Sequence, residues 1–409
     1  MAAAGPMRAD EARAIAAPFD LNALDAGFYE NPYGIYAALR TFEPVHRCPD
    51  GSYFLTRHAD LDRIYRDRTC FSSDKKAVFG PKFGPESSLY QHHTTSLVFN
   101  DPPYHTRVRR QIVAALSPSA LRALEPGVVA LVDALLARLR ERGRFDLITD
   151  FAAAIPVEVI GNLLRVPREE RGPLREWSLA ILGALEPKLT PEQEARGNRA
   201  VTDFTAYLRG LVAERRAHPG DANDLLTRLL GEAELTEGEL LQNCVFLLNA
   251  GHETTTNLIG NGLCLLLEHP ECAERLRSDA QLIATTVEEC LRLESPNQLG
   301  NRLVSAPVNI RGVSIEPGTY LHLCIGAANR DPEEFPDPDR FDIGRKPNRH
   351  LAFAAGGHAC AGMGVARLEA QIALLRTVQQ LPGLRLVGGA VRGGRARFRG
   401  FLSLPAEIG

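Results

Sequence analysis

The stretch from Thr236 to His269 restricts the fold more than any other part of the chain. Thr236-Glu-Gly-Glu239 is a capping box, in which the threonine and the second glutamate satisfy each other's backbone N–H groups. Pro270 lacks the N–H that a helix interior needs, so the helix ends before it. At 1.5 Å per residue this helix would span ~48 Å, enough to cross a whole domain. Its middle is unusual. Cys244-Val-Phe-Leu-Leu248 is apolar, and Asn249-Ala-Gly251-His-Glu-Thr-Thr-Thr256-Asn257 follows. Burying a glutamate and three threonines costs free energy unless they are paired or used. Gly251 and the β-branched run weaken the helix there. Thr254 lies four residues after Ala250, so its hydroxyl can bond the Ala250 carbonyl and open the turn. The alternative is a polar stripe facing solvent, and the surrounding leucines argue against it.

A second constraint is Phe353-Ala-Ala-Gly-Gly-His-Ala-Cys360-Ala-Gly362, spaced F-x-x-G-x-H-x-C-x-G. Each fixed residue type has a physical role it could fill around a metal-bound sulfur. Cys360 would be the ligand, and the glycines allow close backbone approach. Nearby N–H groups, and the positive end of a helix expected to start about Ala361, would favour the thiolate. Phe353 would cover the sulfur and His358 would point a donor at a nearby anion. The alternative is a lone buried cysteine in a glycine-rich turn; the spacing favours the ligand.

This pattern resembles the haem-binding loop of the cytochromes P450, where a cysteine thiolate is the axial haem ligand. One position departs: Ala354 stands where the family usually has glycine, and its methyl asks the backbone to avoid glycine-only dihedrals. Ala250-Gly251-His252-Glu253-Thr254-Thr255 resembles the family's A-G-x-[D/E]-T-T motif. The resemblance implies a small residue at Ala250–Gly251 beside dioxygen, a hydrogen bond from Thr254 and proton relay by Glu253. Asp-Pro-Pro-Tyr-His105-Thr-Arg-Val-Arg109 matches a family stretch that tilts His105 and Arg109, four apart on one helix face, toward a haem propionate. Arg302 stands where members keep another propionate-binding arginine. Glu289-x-x-Arg292, with Arg340 downstream, resembles the structural Glu-Arg-Arg cluster and is assigned to scaffold.

The resemblance runs from about Phe19 to the end and implies a mainly α fold with small β-sheets. The haem would lie between the long helix and the cysteine loop with its following helix. Haem b would be held non-covalently, with Gly362 closing its loop. Phe246, Asn249, Leu299 and Leu402 are pocket candidates by position, and most are apolar, which points to a small hydrophobic substrate. Asn249 would give or take one hydrogen bond, or else pack within its helix. The implied activity is a monooxygenase inserting one oxygen atom from O2. No G-x-G-x-x-G follows a strand and no Fe–S cysteine set occurs, so electrons are expected from a separate ferredoxin and its reductase. Arg110, Arg345 and Arg349 are candidate basic contacts for that ferredoxin. A peroxygenase using hydrogen peroxide, or a haem sensor or carrier without turnover, are the alternatives; Glu253 and Thr254 weigh against both.

Composition agrees. The chain has 409 residues, is 44% hydrophobic and carries a net charge of −3, so a sizeable core is expected and nucleic acid is not. Eight scattered cysteines without C-x-x-C suggest reduced thiols in a cytosol. No apolar run of membrane-spanning or signal-peptide length occurs, so a soluble cytoplasmic protein is expected, with residues 1–18 a flexible tail and 19–409 one domain. Asn31–Thr41 and His58–Arg66 read as helices and Val45–Thr56 as a hairpin around Pro-Asp-Gly. Residues 71–99 lack periodicity and read as a long loop, with His92-His93 solvated in preference to a metal pair. Asp101 reads as an N-cap. Leu121 to Gln242 is largely amphipathic helix.

Overall fold

The computed structural model describes residues 7–218, 225–231 and 235–409, the side chain of Arg228 excepted. From the start come helices α1 (Ala9–Ala16), α2 (Ala26–Glu30), α3 (Tyr33–Phe42), strands β1 (Val45–Arg47) and β2 (Tyr53–Leu55), α4 (His58–Arg66) and β3 (Phe71–Ser72). Next are α5 (Lys76–Phe83), α6 (Ser88–Thr95), α7 (Tyr104–Ala115), α8 (Pro118–Arg142), β4 (Arg144–Asp146), α9 (Ala154–Leu163), α10 (Gly172–Gly183), α11 (Pro191–Ala217) and α12 (Leu225–Leu230). The long helix is α13 (Glu237–Glu268), followed by α14 (Pro270–Ser278), α15 (Ile283–Leu293), β5 (Leu299–Val304), β6 (Val308–Ile310), β7 (Val313–Ile315), β8 (Tyr320–Cys324) and α16 (Ile325–Ala328). The chain closes with α17 (Met363–Gln380), β9 (Leu384–Leu386), β10 (Val391–Arg392), β11 (Phe401–Ser403) and β12 (Pro405–Ile408). Among the described residues no helix is long and apolar enough to cross a membrane.

The chain divides into two compact units. The first comprises 1–73, 260–360 and 389–404; the second comprises 74–259, 361–388 and 405–409. In the first, a five-stranded sheet has the order β1-β2-β8-β5-β3. Successive side chains of a strand point to opposite faces, and here the faces feed two cores. Leu55, Leu321, Leu323 and Val304 join Leu61, Ile64 and Leu351. Phe54, Leu299 and Cys324 join Tyr36, Leu39 and Phe28. In the second unit, helices α9 to α13 pack around Phe204, Leu208, Ile181 and Val245, and β12 pairs with both β4 and β9.

Several expectations are corrected. Residues 9–16 are not a tail: they form α1, and Ala12 and Ala16, one turn apart, are fully buried against the core of Phe19, Phe28 and Tyr36. Alanine gives no large-apolar periodicity, which is why the sequence reads as featureless there; residues 1–6 lie outside the described part. Residues 71–99 are not one loop but β3, α5 and α6. Ser87 caps α6 by accepting from the Tyr90 N–H at 3.0 Å, and Gly80 and Pro81 inside α5 mask its pattern. His92 and His93 are buried at 2% exposure, not solvated. His92 Nδ1 meets Gln242 Oε1 at 2.9 Å, and His93 packs among Phe79, Phe83 and Phe99. Asp101 is not an N-cap. Helix α7 starts at Tyr104 after both prolines, with Pro103 at the N-cap position, and the Asp101 carbonyl accepts from the His105 N–H.

Burial pushes the His92 pKa down to about 4, and does the same to His252. An unfolded chain protonates histidine near about 6.5, so between those values it binds more protons than the folded one. The stability these two neutral histidines allow is fully present above about pH 6.5 and is lost as pH falls toward 4. The denaturation midpoint should therefore drop between about pH 7 and pH 5. His92→Phe, which removes one of the two titrations, should flatten that drop in a denaturant series at the two pH values.

Candidate functional site

In the first unit the cysteine loop is built from below. Glu289 and Arg292 of α15 are both fully buried, one turn apart, and form a forked pair with both N–O distances 2.8 Å. The remaining donors of Arg292 reach the carbonyls of Asn329, Pro338 and Arg340. Glu289 also accepts from the Asp342 N–H, Asn348 Nδ2 and Arg345 Nε at 3.0, 3.0 and 3.2 Å. The second guanidinium on Glu289 is thus Arg345, where Arg340 was expected. The Arg340 side chain is exposed and only its carbonyl takes part. Arg345, a side chain only 10% exposed, is equally not a surface contact, unlike the exposed Arg110 and Arg349.

Asn329 carries this scaffold to the loop. Its Nδ2 donates to Ser295 Oγ and its Oδ1 accepts from the Leu351 N–H, each at 2.7 Å. From Leu351 the chain turns twice. The Ala354 N–H bonds the Leu351 carbonyl at 2.8 Å, and the Cys360 N–H bonds the Phe353 carbonyl at 2.9 Å. Gly356 has φ +67 and lies so close to α4 that a Cβ would overlap the Tyr65 carbonyl. Ala354 has φ 54, so it does not avoid the left-handed region as expected. An L-residue there bears roughly 1–2 kcal/mol. Helix α17 begins at Met363, with Gly362 as its open N-cap.

All eight cysteines are outside disulfides. Desolvation raises the pKa of Cys48, Cys70, Cys244, Cys264, Cys272, Cys290 and Cys324, so none of these is poised as a thiolate. Cys360 is half-buried beside half-buried Phe353 and His358. Arg302, on β5, lies 5.0 Å over the Tyr65 ring and donates to the Asn301 carbonyl at 2.7 Å. Leu299 is fully buried in the core, and Leu402, on β11, is 50% exposed.

In the second unit α13 shows distinct faces. The capping box is present: Thr236 N–H donates to Glu239 Oε2 and Glu239 N–H to Thr236 Oγ1. Through its middle most residues are buried, but Phe246, Leu247, Ala250, Gly251 and Thr254 are only half-buried. These recur at helical spacing and form one open stripe whose centre carries its two smallest residues. A Cβ on Gly251 would overlap Ile160 of α9, so glycine is required. Thr254 Oγ1 donates to the Ala250 carbonyl at 2.6 Å, as its spacing predicts. Glu253 is buried. On α7, His105 is buried and Arg109 half-buried on the same face, while Arg107 pairs with Glu239 at 2.8 Å. Asn249 is not on the open stripe. It is 1% exposed, and among the described residues neither end of its amide has a partner; His252, also buried, lies against the Ala153 backbone, to which its ring can hydrogen-bond. Each buried polar atom left unpaired costs about 1–3 kcal/mol.

The residues present fit a haem. One thiol is presented alone by a rigid loop, and a small-residue stripe on an otherwise buried helix suits a flat group. Arg302 on β5, and His105 with Arg109 on one face of α7, are basic side chains of the kind that pairs with carboxylates.

Known proteins place this geometry. A family profile described as Cytochrome P450 matches residues 184–382. A biotin biosynthesis cytochrome P450 of Bacillus subtilis is 36% identical over 366 residues, covering 88% of this chain and 91% of that protein. A vitamin D(3) 25-hydroxylase of Pseudonocardia autotrophica is 36% identical, covering 93% and 95%. Among solved structures, P450BioI in complex with a hexadec-9Z-enoic acid ligated acyl carrier protein aligns with TM-score 0.89 at 34% identity, covering 94% of this chain and 100% of that one.

The scaffold makes a discriminating prediction. Arg345→Ala should destabilise the protein by ~2 kcal/mol or more, because it removes a buried charged donor from Glu289. Arg340→Ala should stay within about 0.5 kcal/mol of the parent, since only its backbone is engaged. Thermal melts of the two variants side by side check this. Ala354→Gly relieves the left-handed strain at some cost in unfolded-chain entropy, and should stabilise by up to ~1 kcal/mol.

Proposed function

This chain belongs to the cytochrome P450 family, and on that premise we propose that it inserts one oxygen atom from O2 into a small hydrophobic organic substrate. Non-covalent haem b, when bound, supplies the activation of oxygen and its transfer to carbon. The chain's own residues then have separable tasks. Cys360, with its N–H bonded to the Phe353 carbonyl and its loop held by the tight contact of Gly356, would hold the haem iron as a thiolate and lend it the electron density that favours O–O cleavage. Arg302, His105, Arg109 and His358 would pair with the haem carboxylates, and Phe353 and Gly362 would pack against the group.

The observation that carries the reading is the Thr254 hydroxyl bonded to the Ala250 carbonyl on the open stripe of α13. With its proton committed there, Thr254 Oγ1 offers lone pairs, so it holds a proton donor in place and does not itself act as the acid. Glu253, one residue back and buried, is the group that exchanges protons with solvent. Each turnover takes up two electrons and two protons and releases one water with the oxidised product. Ala250 and Gly251 keep the stripe low enough for dioxygen, and Phe246 offers an aromatic wall to substrate.

One relative is named a vitamin D(3) 25-hydroxylase and P450BioI was solved with a hexadec-9Z-enoic acid ligated acyl carrier protein; both molecules are largely apolar, which supports an apolar substrate for this chain. The electrons come from a separate ferredoxin and its reductase, with exposed Arg110 and Arg349 as basic contacts. Direct use of hydrogen peroxide is the second reading, and the acid–alcohol pair disfavours it.

Reduced protein with carbon monoxide should give the red-shifted Soret band of a thiolate-ligated haem, and Cys360→Ala should abolish it. An unchanged band in that variant would rule the ligand out. With redox partners, Glu253→Gln should lower product formation about 100-fold while leaving the spectral shift on substrate binding intact. Turnover sustained by peroxide alone, and insensitive to that substitution, favours the second reading.

A further inference from the structure

The cluster around Glu289 is not the only tie between α15 and the cysteine loop. Glu288, one residue earlier on α15, meets His350 Nε2 through its Oε2 at 3.1 Å, and the His350 side chain is only 3% exposed. The other ring nitrogen turns to its own backbone. His350 Nδ1 accepts from the Ala352 N–H at 3.2 Å. A backbone N–H can only donate, so Nδ1 holds the lone pair and the neutral ring carries its proton on Nε2, which donates it to Glu288. The two bonds together fix the tautomer and the plane of the ring.

The approach to the loop is pinned residue by residue, all within the first unit. The Arg349 carbonyl meets His58 Nε2 at 2.8 Å, and the Leu351 N–H donates to Asn329 Oδ1 at 2.7 Å. The Ala352 N–H is taken by His350 itself. A side chain that accepts from the N–H two residues on closes a tight turn, the geometry that asparagine and aspartate supply in an Asx turn. Histidine closes the same turn and adds what asparagine lacks, a second nitrogen that reaches α15. Phe353 follows at once. Its ring centroid lies 6.0 Å from that of His350, with the planes tilted by 54°, and its carbonyl accepts from the Cys360 N–H.

We propose that His350 is a positioning residue for the ligating sulfur. By closing the turn over Ala352, with its ring held in plane by Glu288, it fixes Phe353 and so sets how much electron density Cys360 gives to iron. This rests on the haem-thiolate reading and names a side chain outside the ten-residue loop that tunes it. Without the turn, Phe353 would shift and leave the sulfur open to water. Hydrogen bonds from water draw electron density off a ligating sulfur, which disfavours the ferric form and raises the reduction potential.

The test uses the full-length holoprotein bearing His350→Asn, His350→Gln or His350→Leu. Asparagine keeps an acceptor for the Ala352 N–H and loses the reach to Glu288. Glutamine keeps a donor for Glu288 and loses the turn, and leucine loses both. All three lose the ring contact with Phe353, so differences among them report the hydrogen bonds. In a spectroelectrochemical titration the glutamine and leucine variants should shift the ferric–ferrous balance toward ferrous about tenfold, or about 59 mV upward for one electron, and asparagine by less than about threefold. Amide hydrogen exchange over residues 351–354, read by mass spectrometry, should run about tenfold faster in the glutamine and leucine variants and near the parent rate in asparagine. A residue that merely packs would alter thermal stability and leave the potential alone. Parent-like potentials in all three variants would overturn the proposal, and so would an asparagine variant shifted as far as glutamine. Either result, with the thiolate-type carbon monoxide band present in the parent, leaves the haem-thiolate reading standing. Absence of that band in the parent would take both down. If the glutamine variant does not fold, leucine against asparagine carries the same outcomes.

Discussion

Glu289 accepts five hydrogen bonds in a place no water reaches: two from Arg292, one from Arg345, one from Asn348 and one from the Asp342 backbone. Taking these charges out of water costs several kcal/mol per ion, and only a full set of partners offsets it. That requirement organises the first unit. The partners lie on α15 and on the turns that precede the cysteine loop, so the pair can be satisfied only when those turns have folded. Asn329 then passes the order on, its carbonyl on Arg292 and its side chain on the Leu351 N–H. Two short turns later the chain arrives at Cys360. The geometry of the sulfur is set by a buried ion cluster that never touches it.

Much of this was legible because long periodic patterns and capping chemistry act locally. The α13 capping box, the Thr254 back-bond and the β1–β2 hairpin all depend on residues within a few positions of each other. Features decided by remote packing were not. Arg340 and Arg345 are both plausible partners for Glu289 in one dimension; the choice depends on how residues 336–345 turn, which points the Arg340 carbonyl inward and its side chain out. Helices α5 and α6 hide because glycine and proline interrupt one, while the other buries histidines in place of aliphatic residues. Helix α1 hides because alanines pack by close approach and not by bulk. Ala354 reverses the usual inference, since the loop keeps a left-handed backbone although the residue disfavours it.

The long helix separates tasks by angle. A stripe of Phe246, Leu247, Ala250, Gly251 and Thr254 stays partly open, while Asn249, His252 and Glu253 turn into the protein. On the proposed function, the residues that would face substrate and the buried acid beside them occupy neighbouring positions of one helix without competing for the same surface. Gly251 lies where both requirements apply, and Ile160 leaves it no room for a side chain.

The distribution of cysteines has a bearing on durability. An oxygen-handling protein that leaks oxidant exposes its own sulfurs to sulfenic and sulfinic acid formation, which requires an accessible thiolate. Six of the eight cysteines are buried; only Cys70 and Cys360 are partly accessible, and Cys70 has its pKa raised. Ligation to iron would shield Cys360 in turn. Of the accessible sulfurs, that would leave Cys70, which immediately precedes β3 and whose raised pKa disfavours the reactive thiolate.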